Sequence, residues 1–147
     1  MLVRPFYAFK EGEPYHMYLH PEFASWVAKW KCTLSEDWRP GHWYWFSTKE
    51  GATAEHDFDG VGIRWRGFRF ADGGKAEVSI DGKPIAVIDQ YGPAHLPSTP
   101  PEGASLPFEW VHKGLPAGKH TLTINVLYES NDASKGRRIT ISEFEAL

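Results

Sequence analysis

Hydrophobic and polar residues alternate along several short segments in the second half of the chain. The apolar positions of these segments are Val61, Ile63 and Trp65, then Ala76, Val78 and Ile80, then Leu122, Ile124 and Val126, and finally Ile139 and Ile141. A repeat of two residues places successive side chains on opposite faces of an extended strand. Each segment is therefore predicted to be a strand with one buried face.

Turn-forming residues separate these strands. Asp81-Gly82 directly follows the second segment. This dipeptide tolerates positive φ, so it predicts a tight hairpin with residues 85–88 as the returning strand. Residues 71–74 and 115–118 are also rich in glycine, proline or aspartate and break regular structure. Short strands joined by frequent turns, with almost no predicted helix, favour an all-β sandwich or barrel.

The first half of the chain contains one helical pattern. Pro21 is followed by Phe23, Trp26, Val27 and Trp30, which matches the i, i+3, i+4, i+7 spacing of an amphipathic helix. Proline suits the first turn of a helix, so the pattern predicts one short helix near residues 21–31. The same spacing favours a core position for its aromatic side chains over a binding surface.

From about residue 50 onwards, several segments resemble a known family. The segments are 51–60, 73–82, 89–91, 114–124 and 131–134, with Ser79-Ile-Asp-Gly82 and Gly118-Lys-His-Thr-Leu122 the most specific parts. Together they resemble the galactose-binding-like jelly roll found in carbohydrate-binding modules and other accessory domains of glycoside hydrolases, lyases and esterases. The resemblance implies an antiparallel β-sandwich jelly roll, a carbohydrate ligand, a catalytic domain of a larger protein as neighbour, and an extracellular or periplasmic location.

Length and charge limit the other functions. The 147 residues are expected to form one domain, residues 1–147. A net charge of −3, with mixed signs, argues against nucleic acid as a partner. No apolar stretch approaches the roughly 20 residues of a membrane span, so no membrane association is expected. With a single cysteine, Cys32, an internal disulfide cannot form.

Aromatic residues make up 15% of the chain and include seven tryptophans. They concentrate in His42-Trp-Tyr-Trp-Phe46. If this segment is a strand, either Trp43 and Trp45 or Tyr44 and Phe46 face away from the core. An exposed set would form an interaction patch. The alternative is that a helix or loop covers the second face. We predict Trp43 and Trp45 as ligand-binding residues.

A long segment from Gln90 to Trp110 is predicted to be a loop. It contains Tyr91, His95 and five prolines, and loops longer than about 12 to 15 residues are often functional. Prolines stiffen such a loop and lower the entropy lost on binding. Tyr91, His95 and Trp110 are therefore predicted to bind ligand. The alternative is a strap packed over the end of the sandwich, anchored by its two aromatic residues.

Polar residues offer two further candidate sites. Asn131, in the polar turn 129–136, is predicted to bind sugar hydroxyls, although asparagine is common in any turn. Asp57 and Asp59 have the spacing to share a calcium ion. The resemblance implies a structural ion at most, and a solvated strand edge has the same pattern. We therefore predict no cofactor and no catalytic metal.

Catalytic motifs are missing from the sequence. There is no Gly-x-Ser-x-Gly, His-Glu-x-x-His, phosphate-binding glycine loop or Cys-x-x-Cys. We therefore predict a noncatalytic carbohydrate-binding module. Two alternatives stay open: a structural module that packs against a catalytic neighbour through surface tryptophans, and a small hydrolase that uses histidine with aspartate or glutamate.

Overall fold

The computed structural model of the chain describes residues 32–40, 44–92 and 106–147. Every regular element within these ranges is a β-strand. The strands are β1 (Cys32–Leu34), β2 (Arg39–Pro40), β3 (Trp45–Ser47), β4 (Thr53–Asp59), β5 (Gly62–Arg69), β6 (Lys75–Ile80), β7 (Lys83–Asp89), β8 (Leu106–Lys113), β9 (Lys119–Val126), β10 (Ile139–Ile141) and β11 (Glu143–Ala146). Over the same ranges we find no helix with the length and apolar character of a membrane span.

The strands form two layers. One layer is a five-stranded sheet in the order β1-β4-β9-β6-β7, and its neighbours are all antiparallel. The other layer consists of β10-β3-β2 and β11-β5-β8. Ser142 alone separates β10 from β11, and its N–H donates to the carbonyl oxygen of Arg66 in β5. The two three-stranded sheets therefore continue into each other, which confirms the predicted all-β antiparallel sandwich.

The predicted alternation matches the burial of β6 and β9. It is wrong for Val61, which precedes β5 and keeps 46% of its surface exposed, and for β10, where Thr140 is buried together with its two neighbours. In β6 the side chains of Ala76, Val78 and Ile80 are buried while the residues between them are partly exposed. The same holds for Leu122, Ile124 and Val126 in β9. These apolar faces meet a core that also contains the fully buried tryptophans Trp38, Trp45 and Trp65.

A buried polar pair links the layers at the end of β7. Gln90 and Thr140 are both fully buried. The Thr140 N–H donates to Gln90 Oε1 at 2.8 Å, and Gln90 Nε2 donates to the Thr140 carbonyl oxygen at 3.1 Å. Trp65 Nε1 donates to the same carbonyl oxygen at 3.1 Å. Buried polar groups require partners, and this pair satisfies its own across the interface of the two layers.

The hairpin between β6 and β7 has the predicted turn. Asp81 and Gly82 have φ values of 54° and 79°, and positive φ at both central residues is what a type I′ turn requires. Ile80 pairs directly with Lys83, so the loop contains just these two residues.

The 21–31 and 90–110 segments differ from the other elements in how their predictions compare with the structure. The helix predicted near residues 21–31 lies outside the described residues. The segment from Gln90 to Trp110 is not a loop throughout, because β8 begins at Leu106 and contains Trp110. Pro107 lies within this strand, and β8 is an edge of its sheet, where a strand tolerates proline.

Candidate functional site

The two ends of the sandwich carry different connections. We call the loop end the region formed by residues 70–74, 89–92 and 127–138, and the turn end the region formed by residues 60–61, 81–82 and 114–118. The antiparallel register brings each set together, since Lys75 pairs with Asp89 at one end and Asp59 pairs with Lys119 at the other.

At the loop end, the carboxylate of Asp89 accepts hydrogen bonds from two of the predicted site residues, Tyr91 and Asn131. Asp89 Oδ1 accepts a hydrogen bond from the Tyr91 N–H at 2.9 Å, and Oδ2 accepts one from Asn131 Nδ2 at 3.2 Å. Asn131 Oδ1 in turn accepts from the Ala133 N–H at 2.9 Å. The predicted residues Tyr91 and Asn131 therefore lie together, on a single carboxylate.

The 127–138 loop is fixed to the turn that precedes β6. The Ser134 hydroxyl donates to the Gly73 carbonyl oxygen at 2.7 Å, and the Lys135 N–H donates to the Ala71 carbonyl oxygen at 2.9 Å. Arg138 forms an ion pair with Asp72 at 3.0 Å. These contacts preorganise the loop, which lowers the entropy lost when a ligand binds to it.

An aromatic cluster packs against Arg138 at the end of this loop. The Arg138 guanidinium lies 5.1 Å from the ring centroid of Phe46 and 4.8 Å from that of Phe70, and it donates to the Tyr44 hydroxyl at 3.1 Å. Tyr44 is buried and its ring also contacts Phe68. The face of the 44–46 segment that carries Tyr44 and Phe46 is therefore covered by other residues. This agrees with the alternative in which the second face is covered, and the face does not form an exposed patch.

Tyr128 also belongs to this region, although its position in the sequence was not predicted to be a site. Its side chain keeps 65% of its surface exposed, and the Arg137 guanidinium lies over its ring, 4.5 Å from the centroid. A signal was present in the sequence, because Tyr128 is an aromatic residue directly after an alternating strand, at the start of a polar loop. Exposed aromatic rings next to fixed polar groups are typical of ligand sites.

Other predicted site residues occupy different places. Trp45 is fully buried, with 0% exposure, between its strand partners Pro40 and Ile141. The prediction that Trp45 binds ligand is therefore wrong, since the core encloses its ring. Trp110 lies in the middle of β8 opposite Trp65, half-buried against the core and stacked on His112. Trp43 and His95 lie outside the described residues.

The turn end has an open depression of about 510 Å³. It is lined by Asp57, Phe58, Asp59, Asp81, Lys119, His120 and Thr121. Asp57 Oδ1 accepts a hydrogen bond from the Thr121 hydroxyl at 2.8 Å, while Phe58 points into the core. Within the three described ranges, no group of three histidine, cysteine, aspartate or glutamate side chains is placed to hold a metal ion.

His120 is held between two acceptors at this end. Its Nδ1 lies 2.6 Å from Asp81 Oδ2, and its Nε2 lies 2.6 Å from the Pro116 carbonyl oxygen. Both ring nitrogens can donate at once only in the imidazolium form. The hydrogen bond to Asp81, then the one to Pro116, raises the pKa of His120, and the bonds from His120 and the Thr121 N–H lower the pKa of Asp81. This geometry leaves neither nitrogen of His120 available to accept a proton from a substrate.

Cys32 is buried in β1. Burial, followed by repulsion from Glu55, raises the pKa of its thiol far above the usual range. A thiol of this kind is an inert core residue rather than a nucleophile.

Comparisons with known proteins identify relatives over parts of longer chains. No protein-family model matches this chain. An A type blood N-acetyl-alpha-D-galactosamine deacetylase of Flavonifractor plautii is 37% identical to it over 79 residues, which are 54% of this chain and 9% of the enzyme. The chain therefore corresponds to less than a tenth of that protein's length.

Two solved structures share the fold. A xanthan lyase from Paenibacillus has a TM-score of 0.51 at 12% identity, over 97% of this chain and 13% of the lyase chain. A family two carbohydrate esterase from Clostridium thermocellum, solved in complex with cellohexaose, has a TM-score of 0.50 at 17% identity, over 78% of this chain and 30% of the esterase chain. Likeness at these identities is a likeness of fold.

Proposed function

We propose that this chain is a noncatalytic carbohydrate-binding module with a galactose-binding-like jelly-roll fold. It acts as an accessory domain of a larger glycan-active enzyme, outside the cell or in the periplasm. The observation that carries this proposal is the exposed Tyr128 ring on a loop that is fixed by hydrogen bonds. The same loop carries Asn131, whose amide donates to the Asp89 carboxylate.

This arrangement matches what a sugar requires of a protein. The apolar face of a sugar ring packs against a flat aromatic side chain, and its hydroxyls exchange hydrogen bonds with amide and carboxylate groups. Tyr128 offers the flat surface. Asn131 offers a positioned amide, and Asp89 offers a carboxylate that is already oriented by its two donors.

The comparisons support an accessory role within a longer chain. Each of the three similar proteins is named as acting on a carbohydrate, and each is much longer than this chain. A segment of this size within such an enzyme fits a module that holds the glycan near a separate catalytic domain.

The geometry of His120 favours binding over hydrolysis. A histidine beside an aspartate is the arrangement expected of a general base. Here the second nitrogen faces the Pro116 carbonyl oxygen at 2.6 Å, where a substrate proton would have to arrive. The His120 and Asp81 pair therefore fits a structural link between two turns better than a catalytic pair.

A glycan array followed by product analysis tests this function. We expect the chain to bind at least one class of glycan, and we expect glycans recovered after long incubation to have unchanged masses. Failure to bind any glycan would favour the interdomain packing alternative. Cleaved or deacylated glycans would contradict the noncatalytic assignment.

A further inference from the structure

Arg137 differs from the other arginines of the described residues in its surroundings. Arg64 and Arg66 form ion pairs with glutamates, and Arg138 forms one with Asp72. Arg69 donates to the carbonyl oxygens of Asp89 and Tyr91. Arg39 likewise donates to backbone carbonyl oxygens.

The side chain of Arg137 stacks on an exposed aromatic ring. Its guanidinium carbon lies 4.5 Å from the ring centroid of Tyr128. Within residues 32–40, 44–92 and 106–147, no carboxylate or carbonyl oxygen receives its N–H groups. Stacking uses the face of the guanidinium, and its donors lie in the guanidinium plane, so they stay free for a ligand.

We propose that Tyr128 and Arg137 form a subsite for an acidic sugar, in which Arg137 binds the carboxylate of a uronic acid. This inference rests on the proposed carbohydrate-binding function and names its ligand class. The planar fork of a guanidinium matches a carboxylate with two parallel hydrogen bonds. Tyr128 keeps 65% of its surface exposed although Arg137 lies over it, so the remaining surface of the ring is open to the sugar.

The 127–138 loop carries balanced charges, so a preference for acidic sugars must come from direct contact with Arg137. Glu129 and Asp132 lie on the same loop as Lys135 and Arg137, and Arg138 is neutralised by Asp72. The two remaining acids balance the two remaining bases. General attraction of anions to this loop is therefore weak, and selectivity for a carboxylate requires the guanidinium itself.

The test compares acidic glycans with their own neutral counterparts. The probes are polygalacturonate, alginate and hyaluronan, each also in a carboxyl-reduced form in which the carboxylate has become a primary alcohol. Calorimetry or affinity electrophoresis gives the ratio of the two dissociation constants for each pair. We expect at least one acidic form to bind about tenfold or more tightly than its reduced counterpart, as a hydrogen bond to a charged group allows.

Three variants connect this ratio to Arg137. Arg137→Gln should bring the ratio close to one, and Arg137→Lys should restore only part of it because lysine lacks the fork. Lys135→Gln removes the same charge from the same loop without touching Tyr128, and it should leave the ratio unchanged.

The other outcomes separate this inference from the proposed function. Equal binding of acidic and reduced glycans, or a preference that survives Arg137→Gln, would overturn the uronate subsite and leave the binding module intact. An equal loss in Lys135→Gln would also overturn it, since the preference would then be general electrostatics. No binding to any of these acidic probes would overturn the uronate subsite, and only a further failure to bind any glycan on the array would overturn the binding module as well.

Discussion

The side-chain amide of Gln90 forms hydrogen bonds with both the N–H and the carbonyl oxygen of Thr140. The Thr140 N–H donates to Oε1 at 2.8 Å, and Nε2 donates to the Thr140 carbonyl oxygen at 3.1 Å. Gln90 follows the last residue of β7, while Thr140 lies in the middle of β10 in the opposite layer. The amide therefore bonds to the Thr140 backbone in the way that a neighbouring strand would, and it anchors the loop end to the core.

Replacement of Gln90 by leucine tests this anchor. The Thr140 N–H would lose its partner, whereas the carbonyl oxygen would keep Trp65 Nε1. A buried donor without a partner costs about 1–3 kcal/mol, so the free energy of unfolding in denaturant should fall by that amount. Val87→Ala, at an exposed position of the preceding strand β7, should change it by less than about 0.5 kcal/mol. Equal stability of Gln90→Leu and the parent would show that the amide bonds add nothing.

Replacement of Gly82 by alanine tests the hairpin turn. Gly82 has a φ of 79°, and a Cβ at this position would meet no atom within 4 Å. The cost is therefore conformational, and we expect a loss of about 1 kcal/mol. Thermal unfolding measures it, with the exposed Lys83→Ala as the control. A melting temperature that falls no further than that of the control would contradict the turn assignment.

The link between His120 and Asp81 predicts a pH dependence of stability. The pKa of His120 is raised in the folded state, so its contribution is complete below the usual histidine pKa of about 6.5 and is lost as the pH rises through the raised value. The pKa of Asp81 is lowered, so its contribution is complete above the usual aspartate pKa of about 3.9 and is lost as the pH falls through the lowered value. The link should therefore contribute fully between about pH 4 and 6.5.

Unfolding free energies measured from pH 5 to 9 check this dependence. Asp57 and Asp59 on β4 and Lys119 on β9 also line the depression, and they are present in every variant. His120→Gln should flatten the decline of stability at high pH, while His112→Gln should keep it. If the free energy of unfolding declined with pH at the same slope in His120→Gln and in the parent, His120 would not be the cause of the decline.

Two aromatic variants separate core from binding surface. Trp45→Ala should lower the free energy of unfolding by about 3–5 kcal/mol, because it empties a fully buried position. Tyr128→Ala should lower it by no more than about 1 kcal/mol, the usual size of an exposed cation–π contact. It should weaken glycan binding by about 1–3 kcal/mol, the scale of aromatic packing. Tyr128→Ala binding that matches the parent would exclude this ring from the site.

The fold could be predicted from sequence wherever local chemistry decides the structure. The alternation of β6 and β9 fixes which side chains are buried, and the Asp81-Gly82 pair fixes its turn, because both signals act within a few residues. The predictions failed where signals conflict. Trp45 lies among aromatic residues on both faces of its strand, so periodicity could not say which face the core covers. Pro107 argued against a strand at β8, because an inner strand does not tolerate proline. An edge strand such as β8 does tolerate it.

The candidate site was harder to predict because its contacts join distant parts of the chain. Asn131 meets Asp89 across 42 positions in the sequence. Tyr128 stands outside the alternating strand patterns, so periodicity does not predict its 65% exposure. Residue types suggested Tyr91 and Asn131 separately. The Tyr91 N–H meets the Asp89 carboxylate locally, two residues along the chain, but only the tertiary fold brings Asn131 to the same carboxylate.

Amide chemical-shift mapping with a glycan that the array identifies is the most direct test of the central claim, that this sandwich binds carbohydrate at its loop end. We expect saturable shifts concentrated in residues 70–74, 89–92 and 127–138, with residues 81–82 and 114–118 unaffected. Shifts concentrated at the turn end around His120, or no saturable shifts with any array-positive glycan, would contradict this claim.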